Sequence, residues 1–280
     1  MSKVKLTCDS TCDLTGELYS RFAVDVIPLG VVLGDDLRRD GVDVSVDDLY
    51  GYVAKTGVLP KTSAISQGEY IDRWKPYTDD GYEIVHINIS SDISACHQNA
   101  RLAADELENV YVIDSRSLST GSGILVLAAG KMIEEGRSAA EIAEKLDELK
   151  TRIDCTFVLN TLEYLQKGGR CSSVLAFGAN LLKLHPEIIM EGSMDVGKKY
   201  RGGPEKYITE YVKGRIEGRD DLNMSAIFVV HSKVEPELVE KVKEMVRDYG
   251  FENVIETRAG STISSHCGPG TLGLMIVRTK

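Results

Sequence analysis

Short β-branched runs alternate with amphipathic helical stretches along the whole chain. That pattern predicts strands separated by helices, right-handed βαβ crossovers and an α/β fold with mainly parallel sheets. Val4, Leu6 and Cys8 alternate inward along a first strand, which breaks into the polar run Asp9-Ser10-Thr11-Cys12-Asp13. A second apolar run, 24–33, is interrupted by Pro28 and Gly30. Ser45 is placed to cap a short helix, with Asp47 and Asp48 at the positive end of its dipole. A strand over 83–89, a helix over 93–108, a strand over 110–113 and a helix over 118–135 follow, the last stopped by Gly136. Ser138 and Glu141 form a capping box for a helix reaching Arg152.

The strand pattern restarts at 155–160, which divides the chain into two α/β domains, 1–153 and 154–280. A helix over 161–167 ends at Gly168-Gly169, and another is expected over 173–184. Segments 188–190 and 194–201, joined by Glu191-Gly192-Ser193, read as a hairpin. Pro204 suits the first turn of a helix. Strands at 226–231, 253–257 and 274–278 and a helix over 236–249 complete the reading.

At 280 residues, 42% hydrophobic and 27% charged, the composition is that of a soluble globular protein able to bury a large core and an internal pocket. Asp and Glu number 43 against 33 Lys and Arg, a net charge of −10 that repels phosphate backbones and argues against nucleic-acid binding. The first residues lack the apolar core of a secretory signal, and the most apolar stretch, 124–133, is short and contains Lys131. No membrane span is expected. The six cysteines form no C-x-x-C pair and are expected to be reduced, so a cytoplasmic location is the expectation.

Three familiar motifs fail. Gly268-Pro269-Gly270-Thr271-Leu272-Gly273 fits the dinucleotide fingerprint, but only seven residues follow it and they read as a strand. Gly192 to Lys198 begins like a phosphate-binding loop, yet position 199 is Lys where Ser or Thr should bind Mg²⁺. No G-x-S-x-G elbow occurs, and the cysteines and five histidines show no metal-ligand spacing. No metal and no cofactor are expected.

Hydroxyl-rich turns remain: Asp9-Ser10-Thr11, Thr62-Ser63, Ser90-Ser91 with Ser94, and Asp114-Ser115. In open parallel sheets ligands sit beyond the carboxyl ends of the strands, where hydroxyls and helix starts receive anions. Each turn taken alone reads first as a helix cap, and only their recurrence on successive turns brings the ligand reading nearer. Arg170 beyond Gly168-Gly169 is either an exposed residue after a helix stop or a guanidinium turned toward an anion. His266, flanked by Gly268-Pro269-Gly270, is either a solvated loop histidine or an imidazole presented to a pocket. Lys198, Lys199 and Arg201 make a basic hairpin, either solvated or a docking patch.

These residues resemble the DegV family over essentially the whole length, 3–279. The likeness rests on Thr7-Cys8-Asp9-Ser10-Thr11-Cys12-Asp13-Leu14, Lys61-Thr62-Ser63, Ile89-Ser90-Ser91-Asp92-Ile93-Ser94, and Val112-Ile113-Asp114-Ser115. It continues in Tyr164-Leu165 with Gly168-Gly169-Arg170, in Lys199-Tyr200-Arg201-Gly202, and in His266-Cys267-Gly268-Pro269-Gly270. The resemblance implies two α/β domains with one long-chain fatty acid in a buried apolar tunnel between them. It implies carboxylate contacts from Thr62 and Ser94, with Ser63, Arg170 and His266 at the same opening. The protein is then a lipid-binding carrier, not an enzyme. It presents the carboxylate to a separate ATP-dependent fatty acid kinase that forms an acyl phosphate, on the way to phospholipid synthesis.

Burying a sixteen-carbon chain releases on the order of 12 kcal/mol before entropy costs, while its carboxylate needs hydroxyls and a nearby cation. Candidate walls are Ile93, Leu102, Leu125, Leu127, Leu175, Phe177, Leu181 and Leu182. The chain departs from the family pattern after Ser94, where Ala95-Cys96-His97 replaces the usual Gly-Thr-Tyr, and after Ser63, where Ala64-Ile65-Ser66 stands. The rival from another class is a serine hydrolase using Ser94 with His266 as base.

Overall fold

The computed structural model describes residues 3–171 and 184–280. The helix expected from residue 173 lies outside the described residues. The N-terminal half is built on a parallel sheet of β1 (Lys3–Asp9), β2 (Asp25–Ile27), β6 (Tyr82–Asn88) and β7 (Val110–Asp114), in the order β2-β1-β6-β7. The chain leaves β1 toward β2 and leaves β6 toward β7, so the crossovers diverge at the β1–β6 seam. Such a seam opens a crevice beyond the carboxyl ends of the strands.

The apolar run 24–33 is split at Pro28: its first part is β2, and its second is β3 (Gly30–Leu33) in another sheet. β3 lies between β4 (Asp36–Arg39) and β5 (Lys61–Ser63), all antiparallel. Gly30 pairs with Ser63, whose hydroxyl occupies the space a β-carbon would need. β5, at one edge of this small sheet, carries Thr62 and Ser63.

Helices α1 (Gly16–Arg21), α2 (Val46–Thr56), α3 (Gln67–Asp79) and α4 (Cys96–Ala104) precede α5 (Thr120–Glu134) and α6 (Ala139–Leu149). The expected caps of α2 and α6 form: Ser45 with Asp48 and Ser138 with Glu141 each make a capping box. α5 begins at Thr120 rather than Leu118, because Ser119 has left-handed φ 51° and spends its hydroxyl on Asp13 Oδ2 at 2.5 Å. α4 begins three residues later than the periodicity suggests, after a turn in which Ser94 Oγ accepts from Cys96 N at 3.2 Å.

The C-terminal half is a six-stranded sheet ordered β10-β9-β8-β13-β11-β12. Its strands are β8 (Ile153–Val158), β9 (His185–Glu191), β10 (Ser193–Tyr200), β11 (Leu222–Ser232), β12 (Asn253–Arg258) and β13 (Thr271–Arg278). The α/β class and the parallel first sheet are as expected. In this second sheet, however, only β11 and β12 pair parallel. The expected hairpin makes β9–β10 antiparallel, and β13 returns beside β11 and β8 through the glycine-rich turn 268–270, which reverses its direction.

α8 (Pro204–Ile216) and α9 (Pro236–Asp248) cover the outer face of this sheet. Leu238, Val239, Val242 and Val246 recur at helical spacing on α9 and pack under Ile227 and Val229. The inner face shares one continuous apolar core with the first sheet, and α5 is wedged in it. This is why 124–133 reads so apolar. Gly123 brings α5 onto the chain at Cys12, where a β-carbon would sit 2.7 Å from the Cys12 carbonyl. None of the described helices is long and apolar enough to cross a membrane.

Candidate ligand-binding site

A cavity of about 280 Å³ lies between the two sheets, beyond the carboxyl ends of β2, β6 and β7. Leu29, Ile89, Ile93 and Leu118 line it from the N-terminal half. Phe157, Val230 and Met275 form its other wall from the inner face of the second sheet, with Met194 from β10. Gly273 pairs with both Val230 and Phe157, so the middle of that wall carries no side chain. A β-carbon there would meet the Thr156 carbonyl at 2.9 Å and Met275 Cε at 3.2 Å. The glycines of the failed dinucleotide motif thus have other uses. Gly268 (φ +74°) lies against the Tyr164 ring, Gly270 (φ +80°) against Asn160, and Gly273 leaves room for the cavity.

All five residues singled out as ligand contacts line this one cavity: Thr62, Ser63, Ser94, Arg170 and His266. Arg170 is exposed, Thr62, Ser63, Ser94 and His266 are half-buried, and Leu29, Leu118, Phe157, Val230 and Met275 are buried. The polar groups therefore stand toward the surface and the apolar walls lie within.

Thr62 Oγ1 and His266 Nε2 are hydrogen-bonded at 2.8 Å, although 204 residues separate them in sequence. β5 supplies the threonine, and α10 (Ser261–Cys267) supplies the histidine in its last turn. Arg170 follows α7 (Glu163–Gly168), whose end is capped by Gly169 at φ +67°, and its Nη1 donates to the Gly168 carbonyl at 2.6 Å. That bond folds the guanidinium back toward the cavity. Burial, and secondarily the charge of Arg170, push the His266 pKa down to about 4, so the imidazole is neutral at pH 7. His266 Nδ1 is buried and has no hydrogen-bond partner among the described residues.

The cavity walls differ from those expected. Ile93 lines the cavity, but Leu125 is buried in the core, Leu127 packs at its margin, and Leu102 is exposed on the outer side of α4. Cys96, Ala100 and Ala103 are the residues α4 turns inward. Leu175, Phe177, Leu181 and Leu182 lie outside the described residues. Phe157, Val230, Met194 and Met275 were missed, because alternation shows which strand residues share a face but not what that face covers. Lys198, Lys199 and Arg201 are exposed at the far end of β10, four to seven residues beyond Met194, or roughly 13–23 Å along the strand. They are not part of the cavity.

The hydrolase geometry is not assembled. His266 Nε2 is engaged by Thr62, and Ser94 Oγ is bonded to the Cys96 amide rather than to a base. All six cysteines are buried, and no cluster of metal-ligating groups occurs among the described residues.

A family model described as "Uncharacterised protein, DegV family" matches residues 3–279. A DegV domain-containing protein of Clostridium perfringens is 30% identical over 283 residues, covering 99% of each chain. Among solved structures, a DegV family protein from Thermus thermophilus described by its fatty acid binding has a TM-score of 0.87 and 29% identity, covering 99% of each chain. A stearic-acid-binding protein from Eubacterium ventriosum has a TM-score of 0.86 and 25% identity, covering 100% of this chain and 99% of its own. With the family model spanning both sheets and the cavity between them, the chain belongs to the DegV family.

Proposed function

We propose that this protein binds one long-chain fatty acid, with the carboxylate held at Thr62, Ser94, Arg170 and His266 and the chain in the apolar cavity. The observation that carries the reading is the gradient along that cavity, from half-buried hydroxyls and an exposed guanidinium to buried Leu29, Phe157, Val230 and Met275. A carboxylate with a long alkyl tail matches both ends. The fatty-acid-binding relatives of the same fold support the assignment.

In the tautomer that carries its proton on Nε2, neutral His266 donates to Thr62 Oγ1, and the threonine hydroxyl is free to donate to an oxygen of the ligand. Ser94 supplies a second donor and Arg170 the countercharge, so the anion is neither unpaired nor fully desolvated. Because the polar end stands at the surface, the bound carboxylate stays within reach of a partner. On this reading the protein carries no chemistry itself. It offers the carboxylate to a separate ATP-dependent fatty acid kinase for acyl-phosphate formation, in the cytoplasm. Ser63, whose hydroxyl lies over Gly30, shapes the entrance beside Thr62.

Native mass spectrometry of the purified protein tests the first part. A mass excess of one fatty acid per chain, released on denaturation, is expected. A bare chain after incubation with a panel of fatty acids overturns the reading. The second part is tested by acyl-phosphate formation when the loaded protein is mixed with a fatty acid kinase and ATP.

A further inference from the structure

α10 is a weak helix by its own sequence. Ser261-Thr262-Ile263-Ser264-Ser265-His266-Cys267 contains no strong helix former, and seven residues are too few to offset the cost of nucleation. Its N-cap is Gly260, which has no side chain to satisfy the first amides. Those amides are instead capped from the other half of the chain. Gly260 N donates to Asp13 Oδ1 at 2.8 Å, and Ser261 N donates to Asp40 Oδ1 at 2.8 Å.

The second oxygen of each carboxylate is tied, directly or through one serine, to the N-terminal wall of the cavity. Asp13 Oδ2 accepts from Ser119 Oγ, and Ser119 lines the cavity beside Leu118. Asp40 Oδ2 accepts from Ser10 Oγ at 2.9 Å, and Ser10 Oγ in turn accepts from the amide of cavity-lining Leu29 at 3.2 Å. Gly260 is required there, since a β-carbon would press on both aspartates, 3.0 Å from Asp13 Oδ1 and 3.3 Å from Asp40 Oδ1. Both carboxylates are nearly inaccessible to solvent.

We infer that Asp13 and Asp40 are positioning residues of the ligand site: acting through α10, they hold His266 against Thr62. Neither faces the ligand position itself. The helix they cap carries Thr62's partner at its opposite end; on the other side Asp13 bonds cavity-lining Ser119, and Asp40 bonds Ser10, which holds the amide of cavity-lining Leu29. Loosening the clamp lets the start of α10 unwind and frees the imidazole from the threonine. The inference deepens the fatty-acid reading for its functional consequence, while its structural part stands without a ligand.

The test uses Asp40→Ala, which removes both acceptors, and Asp40→Asn, which keeps one. Asp25→Asn, which weakens the remote ion pair with Arg73, serves as a control for general destabilisation. The His266 ring is followed by NMR titration, its resonance identified by its loss in His266→Gln, and affinity is read with a fluorescent long-chain fatty acid. In Asp40→Ala the His266 titration is expected to move from about pH 4 toward the ordinary value, with affinity falling tenfold or more and Asp40→Asn lying between. Asp13→Ala is expected to behave likewise. Asp25→Asn is expected to leave both readouts in place. An unmoved His266 titration in folded Asp40→Ala and Asp13→Ala overturns the inference. Failure of the wild-type protein to bind the probe, with His266 still moving in the variants, overturns the ligand reading instead and leaves the clamp standing.

Discussion

The imidazole of His266 rests on the α-carbon of Gly168, where a β-carbon would lie well inside van der Waals contact of Nδ1. Gly168 ends α7 with ordinary helical geometry, so its side chain is missing for the sake of the neighbour and not of the backbone. The same residue's carbonyl receives the Arg170 guanidinium. One glycine thus sets the positions of both candidate nitrogen ligands.

Gly168→Ala is accordingly expected to fold and to gain helix propensity, yet to displace His266 from Thr62. Retention of a long-chain fatty acid should fall at least tenfold, about 1.4 kcal/mol. Competition against a fluorescent fatty acid measures it. Wild-type affinity in the alanine variant would show that the imidazole has another place to go.

Thr62→Val and Ser94→Ala each remove a donor from the polar end while keeping its shape. Each is expected to weaken carboxylate binding by about 1–2 kcal/mol, with the double variant releasing its fatty acid during purification. Organic extraction followed by mass spectrometry reads this directly. Unchanged lipid content in the double variant rules out the head-group assignment.

The depressed pKa of His266 makes stability depend on pH in a definite direction. Unfolding restores the ordinary histidine pKa near 6.5, whereas the folded value lies near 4, so the unfolded chain binds the extra proton between those values. Stability is therefore complete above about pH 6.5 and falls by about 3 kcal/mol as the pH drops toward 4. Urea unfolding at several pH values should show part of this slope disappear in His266→Gln. A slope identical in both proteins would place the acid sensitivity elsewhere.

Gly192 at the tip of the β9–β10 hairpin has φ +86° and lies under the Arg116 guanidinium. Its carbonyl accepts from Ser90 Oγ at 2.6 Å, and its amide donates to the Arg116 carbonyl at 2.9 Å. The hairpin is thereby locked onto the N-terminal half, and Met194 is carried to the cavity. Gly192→Ala forces both a left-handed alanine and a clash, and is expected to cost about 1–3 kcal/mol. Thermal unfolding would register it, together with weaker fatty acid retention.

Local signals in the sequence were sufficient for much of the secondary structure, because caps and glycine stops act over a few residues. Ser45 with Asp48, Ser138 with Glu141, Pro204 at a helix start and Gly169 at a helix end all behave as their chemistry dictates. The alternation of strands and helices determined the α/β class, and the family resemblance carried by the spaced motif blocks, not any local rule, grouped Thr62, Ser63, Ser94, Arg170 and His266. Tertiary structure alone decided the rest. The strand directions of the second sheet depend on which edges meet, and periodicity carries no direction. Asp13 and Gly260, 247 positions apart, became partners only when the two halves closed on each other. The cavity belongs to neither half: it is the space left when one sheet's carboxyl-terminal edge meets the face of another, where Gly273 withholds a side chain that no local rule told it to omit.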